Sequence, residues 1–473
     1  MKKFLFFDYW TLEHVKGFER RTISPVKHEK NPVFVPDERP YEFNDCMYFT
    51  VLYDPGEERY RMWYGTSNLY DENTTPVKYL CHATSMDGIR WERPALDVVP
   101  GTNIVMDDAE KAMGSSVILD ARDTVLPYKL LMRPKHTPAI VAYASRDGIH
   151  WEKCSDEPVI QANSDCKIGL YQDPDTGIYH ALFRLNKGNR KTWTSESRDF
   201  LQWSRPVLIL EPDIAEGTQV QIYGTQASPY GNYVIGLAPL YNTEPQEMFW
   251  AKMRGTMDMA LAFSRGGYAW KWMEPGSRFI PLGGAGEWDA GMIHPGTSLV
   301  YCSEEIRIYY SGTVFPHHET ERVTEQPKGI GLATIRPDGF VALVCNSGGG
   351  SLLTRPFAIS TPEILVNADC SKGVMRMEIC EGGTGLPLRG YAMEDCEPIV
   401  GDGTAIAVRW KNNGSCESLV NRSIRIRIAA ENTLLYSISM PNGKDPARYW
   451  EFEEIGCVDP VRDLGTSDYY MQV

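Results

Sequence analysis

One short pattern recurs along the chain and constrains the fold more than any other feature of the sequence. Ser-x-Asp-Gly-x-x-Trp occupies residues 85–91 and 145–151, and degraded copies occupy residues 197–203 and 264–270. Successive tryptophans are 60, 52 and 67 residues apart, and a weaker Asp-Gly turn at residues 336–340 ends 70 residues after the last tryptophan. A repeat of this length indicates a series of similar structural units.

The pattern is typical of a β-hairpin. Asp-Gly supplies the turn because glycine tolerates positive φ and aspartate bonds its own backbone, and the tryptophan then anchors the returning strand. A strand, a turn and a second strand precede each copy, and the alternation in residues 60–64 is strand-like. No long amphipathic helix is predicted. Five units of about four strands each predict a five-bladed β-propeller.

The sequence predicts an all-β protein with three segments. Residues 41–345 form the five-bladed propeller, and residues 1–40 wrap its edge or close its ring. After the three glycines at 348–350, strand-like runs alternate with turns again, which predicts a C-terminal β-sandwich within residues 350–473. The end of this segment is an aromatic tail, and the sandwich or the tail is the expected contact for a homo-oligomer.

Charge and composition exclude several classes of function. A net charge of −14 and a pI near 5.2 disfavour nucleic acids and anionic membrane surfaces as partners. The apolar run before Asp8 is too short for an export signal, and no later run approaches the ~20 apolar residues of a membrane span. The 11 cysteines include no C-x-x-C pair, so neither a disulfide framework nor a zinc site is expected. The sequence predicts a cytoplasmic protein with no metal or other cofactor.

Several motifs resemble those of the superfamily of glycoside hydrolase families 32 and 43, and more closely those of bacterial proteins with a family 32 N-terminal-like domain. The chain is also rich in aromatic rings, with 12 Trp and 25 Tyr, which suit stacking on sugars. The resemblance is carried by residues 40–42, 60–64, 164–165, 287–292, 388–391 and 408–411. It implies a five-bladed propeller with an appended sandwich, acting on a carbohydrate.

The chain departs from the family 32 catalytic motifs. The nucleophile motif Asn-Asp-Pro-Asn-Gly is reduced to Asn44-Asp45, followed by Cys46. The Arg-Asp-Pro and Glu-Cys motifs are missing. The resemblance therefore implies the architecture and does not extend to fructan hydrolysis.

Glycoside hydrolysis needs two carboxyl groups that flank the scissile bond. We expect them at the start of the innermost strand of each blade, where Asp45 is the predicted base or nucleophile and Asp165 the hydroxyl-binding or pKa-tuning group. Glu287 and Asp289 flank Trp288, so strand alternation would place both on one side, where repulsion would raise one pKa as an acid requires. The alternative is that each aspartate caps a turn.

Other residues are predicted to bind the substrate. Ser116 and Gln221 stand at the corresponding positions of blades two and four, and Arg184 ends a strand after Asp165. The further candidates are Glu42, Trp288 and His294. A metal ligand among His294, His317 and His318 is the less favoured interpretation.

The predicted function is a glycoside hydrolase that cleaves a small oligosaccharide or glycoside by a carboxylate mechanism. One alternative is a glycoside phosphorylase, which would need a cluster of cations for phosphate; Arg133, Lys135 and His136 are the candidates. The other alternative is a non-catalytic carbohydrate-binding propeller.

Overall fold

A computed structural model describes the chain with gaps. The described residues are 2–37, 39–42, 46–67, 78–106, 112–134, 138–164, 166–185, 190–244, 254–317, 319, 328–411 and 413–441. Their regular secondary structure is mainly β-strand, joined by turns and loops, and Ile214–Glu216 and Glu417–Leu419 are short 3-10 helices. Within these ranges, no helix has the length and apolar character needed to cross a membrane.

The chain divides into two compact units, and its first strands are shared between them. These strands are β1 (Lys2–Leu5), β2 (Leu12–Lys16), β3 (Phe18–Thr22) and β4 (Val26–Lys27). One unit comprises Ser24–Ile335, and the other joins Met1–Ile23 to the chain from Arg336 onward. The boundary therefore falls between β3 and β4.

The 24–335 unit begins with three antiparallel sheets of four strands, each in chain order. The first contains β5 (Met47–Asp54), β6 (Arg59–Ser67), β7 (Lys78–Ser85) and β8 (Ile104–Met106). The second contains β9 (Ala112–Leu119), β10 (Tyr128–Pro134), β11 (Val141–Ser145) and β12 (Trp151–Lys153). The third contains β13 (Gly169–Gln172), β14 (Tyr179–Phe183), β15 (Thr192–Ser197) and β16 (Val207–Leu210).

Two further groups of strands share one ten-stranded sheet. The fourth group contains β17 (Val220–Ile222), β18 (Gln226–Tyr230), β19 (Tyr233–Thr243), β20 (Gly255–Arg265) and β21 (Ala269–Trp272). The fifth contains β22 (Met292–Pro295), β23 (Val300–Tyr301), β24 (Ile306–Thr313) and β25 (Gly329–Ile335), with β4 paired to β25 as its outer strand. The parallel pairing of Met257 with Met292 joins the two groups.

The five groups contact one another in a cycle. Tyr128 of group two donates to Asp54 of group one, and Tyr179 of group three donates to Asp120 of group two. Tyr268 of group four likewise donates to Glu196 of group three. Groups five and four meet where the Tyr301 hydroxyl donates to Pro229 O at 2.8 Å, and groups one and five meet where the Tyr309 hydroxyl donates to Gly88 O at 2.8 Å.

The repeated turns connect neighbouring groups. In the turn after β11, Ser145 Oγ accepts from the Gly148 amide at 2.9 Å, and Asp147 Oδ1 accepts from the amides of Ile149 and His150. The backbone of Gly148 has a φ of +73°, which glycine adopts without strain. Its carbonyl then accepts from Trp63 Nε1 of group one at 2.7 Å. The turn motif thus fixes both the hairpin and its contact with the next group.

Replacing Gly148 with alanine is expected to destabilise the protein more than the same change at Gly101. Both glycines have positive φ, but a Cβ at Gly148 would lie 2.7 Å from Trp63 Cζ2, whereas nothing lies within 4 Å at Gly101. Both variants incur the cost of the left-handed conformation, and overpacking adds about 1–3 kcal/mol at Gly148 alone. Equal losses in the free energy of unfolding by urea titration would show that the turn is not packed against Trp63.

The other unit is a ten-stranded sheet. Its later strands are β26 (Val341–Cys345), β27 (Gly350–Thr354), β28 (Phe357–Ala358), β29 (Leu365–Glu381), β30 (Ile399–Ala407), β31 (Ser423–Glu431) and β32 (Thr433–Met440). The main path runs β2-β27-β31-β29-β32-β26-β3, so β2 and β3 lie at opposite ends although Gly17 alone separates them. The sheet must therefore curl back on itself. Apolar side chains of both ends pack into one cluster.

The division into units differs from the predicted segments. Strands β1, β2 and β3 belong to the C-terminal unit, because β1 pairs with β32, β2 with β27 and β3 with β26. The turn at residues 336–340, counted in the sequence as the fifth repeat, also lies in this unit, where Asp338 accepts from Lys3 and Ser437. The three strand pairings and the Lys3–Asp338 contact join residues more than 300 positions apart, and local patterns carry no signal for them.

Candidate functional site

The first strands of three groups carry a one-residue bulge at the same end. In group one, Met47 pairs with Gly65 and Thr50 pairs with Trp63. β5 therefore advances three residues where β6 advances two, and Tyr48, within this stretch of β5, has a φ of +52°. Group two repeats this between β9 and β10. In group four, the chain between β17 and β18 likewise has one more residue than the part of β19 that it faces. Bulges redirect side chains and are frequent next to active sites.

A small pocket lies at these bulges. It is lined by side chains of groups one, four and five and by the segment that leads into β13: Tyr48, Cys166, Lys167, Tyr223, Gly224, Gln226, His294 and Pro295. The rings of Tyr48 and Tyr223 both contact His294 edge to face, with centroid separations of 6.3 Å and 5.3 Å. The cavity has a volume of about 10 Å³, enough for about one water molecule.

Next to the pocket, His317 bridges two tyrosines. Its Nε2 lies 3.1 Å from the Tyr223 hydroxyl and its Nδ1 lies 3.2 Å from the Tyr241 hydroxyl. Burial raises the pKa of Tyr241 to about 12, so its phenol is protonated at neutral pH. Two hydroxyls and an imidazole in contact can relay hydrogen bonds to a bound molecule.

Two arginines pack on the same tyrosines. The Arg184 guanidinium lies 4.3 Å from the centroid of Tyr223, and Arg190 lies 5.4 Å from that of Tyr241. Arg190 also donates to Gln221 Oε1 at 2.6 Å. The structure thus brings together Arg184, Gln221 and His294, three of the predicted binding residues, around Tyr223.

Several basic side chains act on His294 in the pocket. Burial, and then the charges of His317, Lys328, Lys167 and Arg184, lower the pKa of His294 to about 3, so its imidazole is neutral in the folded protein. The Lys167 amine donates to the carbonyl oxygens of Phe49 and Pro295 and thereby joins groups one and five. Burial also holds the pKa of Lys167 well below its usual value.

Stability is expected to fall as the pH drops below 6.5. Burial lowers the pKa values of both His82 and His294 to about 3 in the folded protein. In the unfolded chain both residues have a pKa near 6.5. Between pH 3 and pH 6.5 the unfolded chain therefore binds more protons than the folded protein. The contribution of the two neutral histidines to the free energy of unfolding is complete above pH 6.5 and is lost towards pH 3.

His82 provides the test of this pH dependence. His82→Gln should reduce the slope of the unfolding free energy between about pH 4 and 6 by up to roughly 1.4 kcal/mol per pH unit, because one proton no longer binds on unfolding. Urea titrations of both proteins across this range measure the slope. An unchanged slope would mean that His82 is charged in the folded state.

The main predicted catalytic residues lie outside the described residues. These are Asp45 and Asp165, and the same holds for Lys135, His136 and His318. Their chain neighbours are described: Cys166 and Tyr48 both line the pocket. The Cys46 thiol donates to Lys328 O at 3.1 Å. The roles of Asp45 and Asp165 stay predictions.

Residues 287–289 form a turn, whereas the sequence predicted strand alternation. Asp289 is buried, and its Oδ2 lies 2.7 Å from Lys27 Nζ and 3.0 Å from the Tyr310 hydroxyl. Glu287 is exposed, although both carboxylates face Gly283. Trp288 stacks on Tyr310 at 5.5 Å. Lys27 lies on the outer strand β4 and Tyr310 on β24. The pocket residue His294 lies on a different strand, β22, so the partners of Asp289 are not on the strand that reaches the pocket.

Two other predicted binding residues have structural partners. Glu42 is completely buried, and its carboxylate accepts from Arg93 Nε at 2.9 Å, from the Asp37 amide at 3.0 Å and from the Tyr64 hydroxyl. Ser116 is also completely buried and donates to Ile168 O. Neither residue lines the pocket, and Arg133, a phosphate candidate, donates to Asn163 at 3.3 Å.

The sequence pattern of residues 221–228 predicts one continuous strand, and Gln226 was not among the predicted binding residues. The structure breaks this strand after Ile222, and the pairing of Ile222 with Leu240 and of Gln226 with Leu237 shows one extra residue. The bulge reverses the alternation, so Gln226 lines the pocket. Gly224 was the available signal, because an isolated glycine within a strand pattern often marks a bulge.

Comparison with known proteins adds one family match. Residues 50–221 match the family model of the glycosyl hydrolases family 32 N-terminal domain. This confirms the predicted resemblance to the family 32 group over that part of the chain. The same match supports the prediction that the protein is a glycosidase. A search of curated proteins gave no match.

Solved structures are similar at low identity. One is described with the words that the GH130 family of mannoside phosphorylases contains glycoside hydrolases that target β-1,2-mannosidic linkages in Candida mannan. It is 16% identical to this chain, the alignment covers 69% of this chain and 95% of that one, and the TM-score is 0.47. A glycosyl hydrolase from Bacteroides ovatus is 14% identical, with coverages of 67% and 95% and a TM-score of 0.47. An N-acetylgalactosamine deacetylase from F. plautii, in complex with blood group B trisaccharide, is 14% identical, with coverages of 67% and 96% and the same TM-score.

Proposed function

We propose that the protein is a glycoside hydrolase that cleaves a glycosidic bond of a small oligosaccharide or glycoside beside the small pocket around Tyr223 and His294. The observation that carries this proposal is the position of the predicted acids in the chain. Tyr48, three residues after Asp45, and Cys166, immediately after Asp165, line the same pocket. Two carboxyl groups from different parts of the chain at one aromatic pocket are what glycoside hydrolysis requires.

The five groups of strands are, in this proposal, the blades of a propeller, and the C-terminal sheet is the predicted sandwich. The cyclic contacts from group one to group five and back support a closed ring. The pocket lies at its central channel, because the first strands of groups one, four and five supply Tyr48, Gln226 and His294.

We assign the two catalytic carboxyl groups to Asp45 and Asp165. Asp45 acts as base or nucleophile and Asp165 protonates the leaving oxygen. In this proposal Glu287 and Asp289 do not supply the acid, because neither lines the pocket and Asp289 is bound by Lys27. The rings of Tyr48 and Tyr223 provide surfaces on which a sugar can stack.

Product analysis with aryl glycosides and plant and microbial oligosaccharides tests the proposal. The parent protein should release free sugar from at least one substrate, and Asp165→Asn should lose most of this activity. The activity of Asp165→Asn should recover with substrates whose leaving group needs no protonation, such as dinitrophenyl glycosides, because only the general acid is missing. An equal loss on both kinds of substrate would exclude Asp165 as the acid.

A second candidate function is a glycoside phosphorylase. The observation that favours it is the set of cations near the pocket: Arg184 and Arg190 lie over the ring of Tyr223, and the charge of Lys328 acts on His294. Arginine and lysine are the usual ligands of phosphate. Release of a sugar phosphate, strictly dependent on added inorganic phosphate, would establish this function; release of free sugar at the same rate without phosphate would exclude it.

A further inference from the structure

Strand β30 forms a free edge of the C-terminal sheet. It pairs with β29 on one side, and the described residues provide no strand on its other side. Six of its nine residues are exposed, among them Val400, Ala405 and Ala407. An unpaired edge is a template for another strand, and proteins commonly protect such edges with lysine or proline. β30 contains neither, and the charge of Asp402 is paired with Arg336 at 2.7 Å.

The edge lies next to the apolar core of this unit. Ile406 of β30 packs against the core cluster and is only partly buried. Pairing with β29 is regular from Gly401 to Gly403 and, after one extra residue in β30, resumes at Ile406 and Ala407. A further strand at this edge would place its own apolar side chains beside Ile406 and extend the cluster.

The last described residues lie close to this edge. Ser439 of β32 pairs with Leu365, and Leu365 pairs on its other side with Ala407, so these three residues lie side by side. At about 4.8 Å between neighbouring strands, the position beyond Ala407 is roughly 14 Å from Ser439. The seven residues 442–448 can span up to roughly 23 Å when extended. The chain that follows β32 is therefore long enough to reach the free edge by residue 449.

The sequence at that point has the pattern of a strand. Residues 449–453, Tyr-Trp-Glu-Phe-Glu, alternate apolar and acidic side chains, which is typical of a strand with one buried face. The stretch before it, Pro-Asn-Gly-Lys-Asp-Pro at 441–446, is typical of a turn. Arg409 and Lys411 are exposed at the end of β30 where this segment would arrive, and their charge is opposite to that of the two glutamates.

We propose that residues 449–453 pair with the free edge of β30 and complete the C-terminal sheet from within the same chain. Trp450 and Phe452 face the side of Ile406, and the two glutamates face solvent. A segment on a short tether has an effective concentration on the order of 1 mM, far above that of a second copy in dilute solution, so it outcompetes β30 of another molecule. The edge is then closed to the homo-oligomer contact that the sequence predicts for this unit.

Hydrogen–deuterium exchange of the full chain tests this pairing. The β30 amides that do not bond β29 should exchange at least about tenfold faster in the double variant Trp450→Ser, Phe452→Ser than in the parent, because their acceptors are lost. The matched control is Tyr469→Ser, Tyr470→Ser, which removes two rings of the same aromatic tail outside the proposed strand and should leave β30 unchanged. Unchanged exchange of β31 in all three proteins shows that the sheet itself stays folded.

The concentration dependence of the exchange distinguishes the two occupants. Protection of β30 in the parent should be the same at about 1 µM and about 50 µM protein, since mass action favours a second copy only at the higher concentration. The proposal is wrong if β30 exchanges equally fast in the parent and in the double variant, or if the control variant loosens β30 to the same extent. It is also wrong if protection rises with concentration while the mass in solution doubles, which would identify a second copy as the occupant.

Discussion

Asp45→Asn is expected to lower turnover by about 10²–10⁴-fold with little change in Tm. Asparagine keeps the shape of the side chain but cannot act as a base or nucleophile, and general-base catalysis contributes this much to the rate. Initial rates on the best substrate, together with thermal denaturation of both proteins, measure the two effects. A large loss of rate with an unchanged Tm would place Asp45 in the chemistry.

Asp173→Asn is the matched control. Asp173 follows β13, and its Oδ1 accepts from the amides of Asp175 and Thr176, so it represents the turn-capping role that was the alternative for Asp45. Its replacement should leave turnover per folded molecule unchanged and cost at most about 0.5–2 kcal/mol. If Asp45→Asn behaves in the same way as Asp173→Asn, Asp45 is a capping residue and the catalytic assignment is wrong.

Glu42→Ala is expected to cost about 3–5 kcal/mol of unfolding free energy while turnover per folded molecule is retained. The substitution leaves Arg93 without its carboxylate partner, and breaking one side of a buried ion pair has this cost. Urea titration of the parent and of the variant gives the loss. Glu305→Ala, which removes the partner of Arg307 at a more exposed site, should cost only about 0–1 kcal/mol.

The opposite result would restore the sequence interpretation of Glu42. If Glu42→Ala loses turnover but keeps its stability, the carboxylate acts on the substrate and its ion pair with Arg93 is secondary. The comparison therefore distinguishes a residue that supports the fold from one that contacts a sugar.

The repeat in the sequence predicted local structure well and long-range pairing less well. The hairpins around Gly88 and Gly148 follow from turn chemistry within seven residues, so the sequence contains all the information they need. The assignment of β3 to the sheet of β26 depends on contacts across more than 300 residues and could not be predicted in this way. Arg184, Gln221 and His294 were found because each stands at or near an end of a predicted strand that reaches the pocket.

Residues at irregular positions were missed or misplaced. The bulges at Tyr48 and before Gln226 reverse the direction of the side chains that follow, so strict alternation gives the wrong face. Asp289 illustrates the opposite error, because residues 287–289 form a turn and the ion pair with Lys27 could not be inferred from local spacing. A single extra residue in a strand is thus enough to change which side chains reach the pocket.

The central claim is that glycosidic bonds are cleaved at this pocket, and sugar release by the parent and by Asp45→Asn measures it most directly. Both proteins are incubated with the same panel of aryl glycosides and oligosaccharides, with and without phosphate, and the products are quantified by chromatography. We expect the parent to cleave at least one substrate and Asp45→Asn, folded to the same Tm, to cleave it about 10²–10⁴-fold more slowly. No cleavage of any substrate by the parent, or equal rates for the two proteins, would contradict the account.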